Sequence, residues 1–167
     1  MLKVISTLFL VVLTSLFFFP FEFTFLPGFN TKMIMAGMGL VLFGINMARG
    51  GRGSLDKGVF LLSLLAIFVY IIGLVSVTLN GTSDFSYATY IISMWVWLGG
   101  AYFVAQMIKL RHGNVTIPLL CNYLIAVCVA QCIIAFAMSE YEPLKKFVDG
   151  FLEGSGFMGK VDARLYG

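Results

Sequence analysis

Long apolar blocks separated by short polar connections dominate the hydropathy pattern of the chain. A helix needs about 20 mostly apolar residues to cross a hydrocarbon core of about 30 Å. Five blocks bounded by charged residues, proline or glycine approach that length, at residues 4–19, 33–48, 59–79, 88–108 and 117–138. The pattern therefore predicts an all-α integral membrane protein with a bundle of five transmembrane helices.

The first block also resembles a signal peptide, because Lys3 precedes its apolar run. A cleavable signal would need small residues at a cleavage site after that run. The sequence there is Phe17-Phe18-Phe19-Pro20-Phe21, which is bulky and aromatic. We therefore predict that the first block is retained as a membrane span.

The composition excludes the soluble classes of protein. Of the 167 residues, 60% are hydrophobic and 11% are charged, and the mean hydropathy is +0.97. A typical soluble domain has about 25% charged residues, and a chain this apolar cannot stay solvated as a disordered segment. The net charge of +3 comes from residues scattered between the apolar blocks, so we predict no nucleic-acid partner.

The positions of the basic residues predict how the spans are oriented, because lysine and arginine in short loops resist translocation. The loops at residues 20–32 and 80–87 are poor in basic residues and should lie outside. The cytoplasmic ends should carry the remaining loop cations, which are Lys3, Arg49, Arg52, Lys57, Lys109 and Arg111. The N-terminus is therefore predicted to be cytoplasmic, and residues 140–167 are predicted to lie outside.

The outer segment has its own helical pattern. Apolar residues recur there on one helical face, at Leu144, Phe147, Val148, Phe151 and Leu152. This spacing predicts a short amphipathic helix on the outer leaflet. We divide the chain into a five-span bundle, 1–139, and this outer helix with its glycine-rich tail, 140–167. We interpret the end of that tail as the point where a longer sequence is interrupted.

Ionisable side chains inside a bilayer are costly and usually mark ion or proton pathways. None of the five predicted blocks contains one, which argues against a self-contained proton-coupled transporter. The strongly polar residues in the blocks are amides, namely Asn46, Gln106, Asn122 and Gln131. We expect these amides to form hydrogen bonds between helices rather than to line a substrate path.

Small residues predict where helices approach each other, since they allow close contact of backbones in lipid. Such residues form a seam on the second span at Gly37, Gly44 and Ala48, and a second group on the fourth span at Gly100, Ala101 and Ala105. One face of the fifth span carries three cysteines, Cys121, Cys128 and Cys132. We expect them to pack against another helix rather than to form a metal site. No metal site and no cofactor are predicted.

Other residues invite a functional interpretation. The glycine-rich loop 49–54 lacks the spacing and the following Lys-Ser/Thr of a P-loop, so it predicts a positively charged turn. Trp95 and Trp97 either border a lipid or sugar path or belong to a packed core, and we favour the core. In the tail, Arg164 and Lys160 could bind a pyrophosphate, although solvated linker residues would look the same.

The order of these features resembles the N-terminal part of bacterial O-antigen polymerase and O-antigen ligase family membrane proteins. The similarity rests on the aromatic connection 17–29, the basic turn 49–57, the outer amphipathic segment 144–152 and the closing stretch 156–167. Members are glycosyltransferases of the bacterial cytoplasmic (inner) membrane that join undecaprenyl-pyrophosphate-linked glycans outside it, without an obligatory metal. The resemblance implies that Arg164 lies near the pyrophosphate.

This chain differs from the family in length, because members have more spans and a large outer loop with essential arginines. The resemblance therefore implies an N-terminal membrane segment of a glycan polymerase or ligase that is inactive alone. The alternative is a complete small non-enzymatic membrane protein, a scaffold or accessory subunit that assembles with protein partners through its glycine seams. In both cases we expect the lipid bilayer to surround the helices.

Overall fold

A computed structural model describes residues 2–22, 29–50, 53–83, 85–143 and 146 of the chain. These residues form five α-helices in chain order: α1 (Leu2–Phe18), α2 (Thr31–Ala48), α3 (Ser54–Leu79), α4 (Ser86–His112) and α5 (Ile117–Glu140). The β-type pairing in the described residues is a single isolated antiparallel bridge between Glu22 and Asn30. The predicted class, an all-α membrane bundle, is therefore confirmed.

Four of the described helices are long and apolar enough to cross a membrane. These candidate spans are Thr31–Ala48, Leu55–Leu79, Tyr90–His112 and Ile117–Glu140, and Val4–Phe18 is a shorter apolar helix. The lengths and apolar compositions of these helices therefore indicate a multi-pass membrane protein. The orientation of the spans stays a prediction. Of the amphipathic helix predicted at 144–152, only Lys146 belongs to the described residues, and it is helical.

The helices extend beyond the predicted blocks at ends that carry charge. Helix α2 includes Lys32, α3 begins at Ser54 and so contains Asp56, and α4 continues through its basic last turn to His112. The helix dipole favours the Asp56 carboxylate at the N-terminus of α3 and the cations at the C-terminus of α4. It does not favour Lys32 in the first turn of α2, whose ammonium lies over the Trp97 ring. The expectation that no span contains an ionisable residue is therefore wrong.

The ends of the later helices have recognisable stop and start signals. Helix α4 ends at Gly113, whose φ of 79° lies in the left-handed region that side chains disfavour, and whose N–H binds the Lys109 carbonyl. Helix α5 begins after Thr116, whose hydroxyl accepts a hydrogen bond from the Leu119 N–H at 3.4 Å. Pro118 occupies the first turn of α5, where no N–H partner is needed.

The described helices belong to two compact units. In the first unit, which comprises Met1–Thr31 and Thr116–Gly167, α1 packs on α5. The side chain of Gln131 on α5 donates a hydrogen bond to the Ser15 hydroxyl on α1 at 2.7 Å. Thr31 is held to the end of α1, because its hydroxyl donates to the Leu16 carbonyl at 2.9 Å. The buried side chains of this unit include Leu10, Leu13, Phe17, Tyr123 and Val127.

The second unit, Lys32–Val115, contains α3 packed along α4 and α2 in close contact with α4. Helices α2 and α4 approach each other closely at Gly39 and Gly99, where a Cβ added to Gly39 would overlap the Gly99 carbonyl group. A Cβ on Gly99 would lie 2.8 Å from the Ala36 carbonyl oxygen. Backbones can meet this closely only because both residues lack side chains.

This contact corrects the predicted glycine seam on the second span. Gly37 and Gly44 have no atom within 4 Å of an added Cβ, and Ala48 is exposed, so this face makes no such contact within the described residues. The packed face of α2 instead presents Met35, Ala36 and Gly39. On α4 the close approach occurs at Gly99, beside the predicted Gly100.

Apolar side chains cover the exposed surface of the helices. On α3 these exposed residues include Leu61, Leu64, Leu65, Phe68 and Ile72, which recur every three to four residues and so form one apolar stripe along the helix. Monomeric soluble proteins rarely expose contiguous apolar surface of this extent. The surface is therefore suited to lipid, in agreement with the membrane class.

A glycine-to-alanine pair tests the contact between α2 and α4. Gly39→Ala should lower the free energy of unfolding by about 1–3 kcal/mol, because the methyl group forces the two backbones apart. Gly37→Ala is the matched control and should leave stability unchanged or slightly raised, since alanine favours helix. Unfolding in mixed micelles, followed by circular dichroism, measures both. Equal effects of the two substitutions would contradict the contact.

Candidate functional site

A buried carboxylate lies in the first turn of α3. Asp56 is 6% exposed, although it belongs to a candidate membrane span. Burying a carboxylate is costly unless it is hydrogen-bonded. The side chains that form hydrogen bonds with Asp56 therefore define a candidate site.

Three polar side chains from α2 and α4 join Asp56 in a hydrogen-bonded chain. Asn46 donates from its amide to the Tyr102 hydroxyl at 2.7 Å, and the Tyr102 hydroxyl in turn donates to Oδ1 of Asp56. Gln106 donates from its amide to the same Asp56 oxygen at 3.4 Å. We call Asn46, Asp56, Tyr102 and Gln106 the polar cluster. It connects α2, α3 and α4 through side-chain hydrogen bonds.

The helical repeat explains why these residues meet. Tyr102 and Gln106 are four residues apart and so lie on one face of α4. On α2, Phe43 lies one turn before Asn46 and packs its ring edge-to-face on Tyr102, with 5.6 Å between ring centroids. The short connection between α2 and α3 brings Asn46 and Asp56 to the same level. The polar cluster therefore lies where α2 ends and α3 begins.

A cavity of about 510 Å³ opens beside the polar cluster. Its lining combines three members of the polar cluster with two cations, two glycines and one leucine: Asn46, Arg49, Gly53, Asp56, Gln106, Lys109, Leu110 and Gly113. Arg49 is exposed and Lys109 is half-buried. Neither cationic side chain forms an ion pair with a carboxylate among the described residues. The cavity therefore offers free cationic donors beside a carboxylate that already has partners.

Gly53 lies beside both the Asp56 carboxylate and the Lys109 ammonium. A Cβ added to Gly53 would lie 2.6 Å from Oδ2 of Asp56 and 3.7 Å from Nζ of Lys109. The two charged groups therefore lie within about 6 Å of each other, a separation at which opposite charges attract appreciably. A Cβ at residue 53 would clash with the carboxylate and contact the ammonium.

The predicted hydrogen bonding of the span amides is largely confirmed. Asn46, Gln106 and Gln131 each donate to a side chain on another helix. Asn122 is exposed and forms no hydrogen bond of its side chain within the described residues. The exposed amide therefore departs from the prediction, because its face of α5 is not packed.

The cysteines and tryptophans are placed differently from the sequence prediction. Cys121, Cys128 and Cys132 are all exposed, so their stripe does not pack against a helix described here. Helix α5 buries Tyr123 and Val127 instead.

Trp95 and Trp97 are 39% and 52% exposed and do not form a packed core, although the Lys32 ammonium lies over the Trp97 ring. Among the described residues, no group of three or more His, Cys, Asp or Glu could hold a metal ion.

The two tail residues proposed for pyrophosphate binding, Arg164 and Lys160, lie outside the described residues and stay predictions. Conversely, sequence reasoning missed Asp56 and Tyr102. A search for uninterrupted apolar blocks assigned Asp56 to a loop, and Tyr102 looked like an ordinary aromatic residue of a span. The available signal was the position of Asp56 just after a glycine-rich loop, where acidic residues favour the first turn of a helix.

Substitutions at Asp56 test the hydrogen bonds of the polar cluster. Asp56→Ala should lower the free energy of unfolding by about 1–3 kcal/mol, because Tyr102 and Gln106 would each lose a buried acceptor. Asp56→Asn should cost less, since its side-chain oxygen can still accept. Lys57→Ala, at the exposed neighbour, is the control and should change little. An equal effect of Asp56→Ala and Lys57→Ala in unfolding titrations would contradict the site.

Comparison with protein-family models, with curated proteins and with solved structures finds no match to this chain. The multi-pass helical membrane class therefore rests on the sequence and the structure alone.

Proposed function

We propose that this chain contributes its transmembrane helices to a bacterial glycosyltransferase that polymerises or ligates undecaprenyl-pyrophosphate-linked surface polysaccharide. The observation that carries the proposal is the sequence resemblance, above all the closing stretch 156–167 after a series of apolar helices. The helical membrane class supports it, because an enzyme with a polyprenyl-linked substrate must work at a bilayer. The site of action would be the cytoplasmic (inner) membrane.

The exposed apolar faces suit a polyprenyl carrier as well as ordinary lipid. Helices α3 and α5 expose branched and aromatic side chains along their length, including Leu65, Phe68, Ile125 and Phe136. A long isoprenoid chain can lie against such a surface through dispersion contacts. The helices would thus hold the lipid part of the substrate, while charged residues outside the bilayer hold the pyrophosphate.

In this proposal the pyrophosphate is bound by Arg164, with Lys160 beside it. A guanidinium group forms paired hydrogen bonds with phosphate oxygens, and an ammonium group adds a point charge. The residues of the transfer step itself are not assigned to this chain, so the chain alone should bind the substrate without transferring glycan.

A second candidate function is a non-enzymatic scaffold or accessory subunit. The observation that favours it is the face of α2 with Gly37 and Gly44, which the described structure leaves open. Small residues on a lipid-facing surface allow a second transmembrane helix to approach closely. This candidate predicts a stable oligomer or complex in mild detergent that Gly37→Leu disrupts.

Photolabelling tests the glycosyltransferase proposal. The purified chain in nanodiscs should be labelled by a photoreactive undecaprenyl-pyrophosphate analogue and much less by the matching undecaprenol analogue. Arg164→Ala should weaken labelling about tenfold, the loss expected from one charge-assisted hydrogen bond. Lys160→Ala should weaken it less, because an ammonium makes a less directional contact.

Arg111→Ala is the matched control, because Arg111 is predicted to face the cytoplasm. Equal labelling by the pyrophosphate and alcohol probes would contradict the proposal. Equal losses in Arg164→Ala and Arg111→Ala would show that the tail has no specific role. Either result together with a Gly37-dependent oligomer would favour the scaffold function.

A further inference from the structure

The cavity beside the polar cluster is a second place where this chain can bind an anion. We propose that it binds a phosphate group through Arg49 and Lys109. This inference does not depend on the proposed glycosyltransferase function, which places the pyrophosphate on tail residues. It concerns instead the ends of α2, α3 and α4 that the positive charges predict to be cytoplasmic.

The charges of the cavity favour an anionic ligand. Arg49 and Lys109 both line it, and neither forms an ion pair with a carboxylate in the described part of the chain. The one acid in the lining, Asp56, already accepts hydrogen bonds from Tyr102 and Gln106. Two cations against one hydrogen-bonded carboxylate leave the cavity with a net positive charge.

The two cations come from different helix ends that the polar cluster holds together. Arg49 directly follows α2, three residues after Asn46, and Lys109 follows Gln106 by three residues on α4. Each cation is thus one helical turn beyond a member of the polar cluster. The hydrogen bonds of Asn46 and Gln106 therefore fix the helices that carry the two donors.

The size and surroundings of the cavity suit a phosphate on a small organic group. Ligand pockets commonly have about 300–1,000 Å³, and this cavity has about 510 Å³. Leu110 in its lining is 78% exposed and provides an apolar rim beside the cations. A phospholipid headgroup presents the same combination of phosphate and apolar chain at a membrane surface. Free inorganic phosphate carries the same chemical group, so the experiment must distinguish it from a lipid headgroup as the ligand.

Thermal unfolding of the full chain in a neutral detergent tests the proposal. Added phosphatidylglycerol should raise the unfolding temperature in a saturable way, whereas diacylglycerol, which lacks the phosphate, should not. In a second series, the effect of inorganic phosphate on the unfolding temperature is compared with that of chloride at equal ionic strength. A response to both phosphatidylglycerol and inorganic phosphate assigns the site to phosphate in general, and a response to the lipid alone assigns it to a lipid headgroup.

The double variant Arg49→Gln/Lys109→Gln should raise the half-saturating concentration about tenfold or more, since each cation supplies a charge-assisted hydrogen bond. Lys57→Gln/Arg111→Gln is the charge-matched control, because both residues lie at the same helix ends but outside the lining. It should retain the wild-type response. If the double variant unfolds, the single variant Arg49→Gln replaces it in the same measurement, because Arg49 is exposed and its substitution disturbs no packing.

Two results would overturn the proposal. The first is a wild-type chain that neither phosphatidylglycerol nor inorganic phosphate stabilises. The second is an equal loss of response in the cavity variant and the charge-matched control, which would mean general attraction of basic loops to anionic lipid. Neither result bears on labelling by the pyrophosphate probe or on Arg164→Ala, so this inference and the proposed function can fail separately.

Discussion

The burial of one carboxylate is the constraint on which the second helical unit depends. Asp56 lies in the first turn of a helix that is otherwise mostly apolar and that exposes much of its surface. A group of this kind must receive hydrogen bonds from the protein when water is scarce. Tyr102 and Gln106 on α4 supply them, and Asn46 on α2 completes the chain of donors. The polar cluster therefore determines which ends of α2, α3 and α4 come together.

The glycine contact farther along the same helices complements the polar cluster. Hydrophobic burial gives apolar helices little reason to associate in lipid, so close packing and interhelical hydrogen bonds must hold them together. Gly39 and Gly99 allow α2 and α4 to meet backbone to backbone, and Asn46 and Tyr102 connect the same two helices nearer to one end. With its two cations, that end also forms the cavity that we assign to phosphate. One arrangement of side chains thus explains both packing and a candidate site.

Hydropathy was sufficient to predict the fold class and the approximate position of every described helix, because apolar blocks of about 20 residues have few alternatives to a membrane helix. It failed at the charged ends, where Asp56 and Lys32 belong to helices rather than loops. The packed face of α2 was also missed, because the predicted seam lay at Gly37 and Gly44 and the contact is at Gly39. Which glycine meets a neighbour depends on how α2 is rotated against α4, and one sequence does not contain that information.

A double-mutant cycle between Asp56 and Tyr102 tests the central claim most directly. Asp56→Ala, Tyr102→Phe and the double variant would be compared by their free energies of unfolding in mixed micelles. If the hydrogen bond connects α3 to α4, the loss in the double variant should be smaller than the sum of the single losses by about 0.5–2 kcal/mol. Losses that simply add would contradict the claim that this buried carboxylate holds the helix ends together.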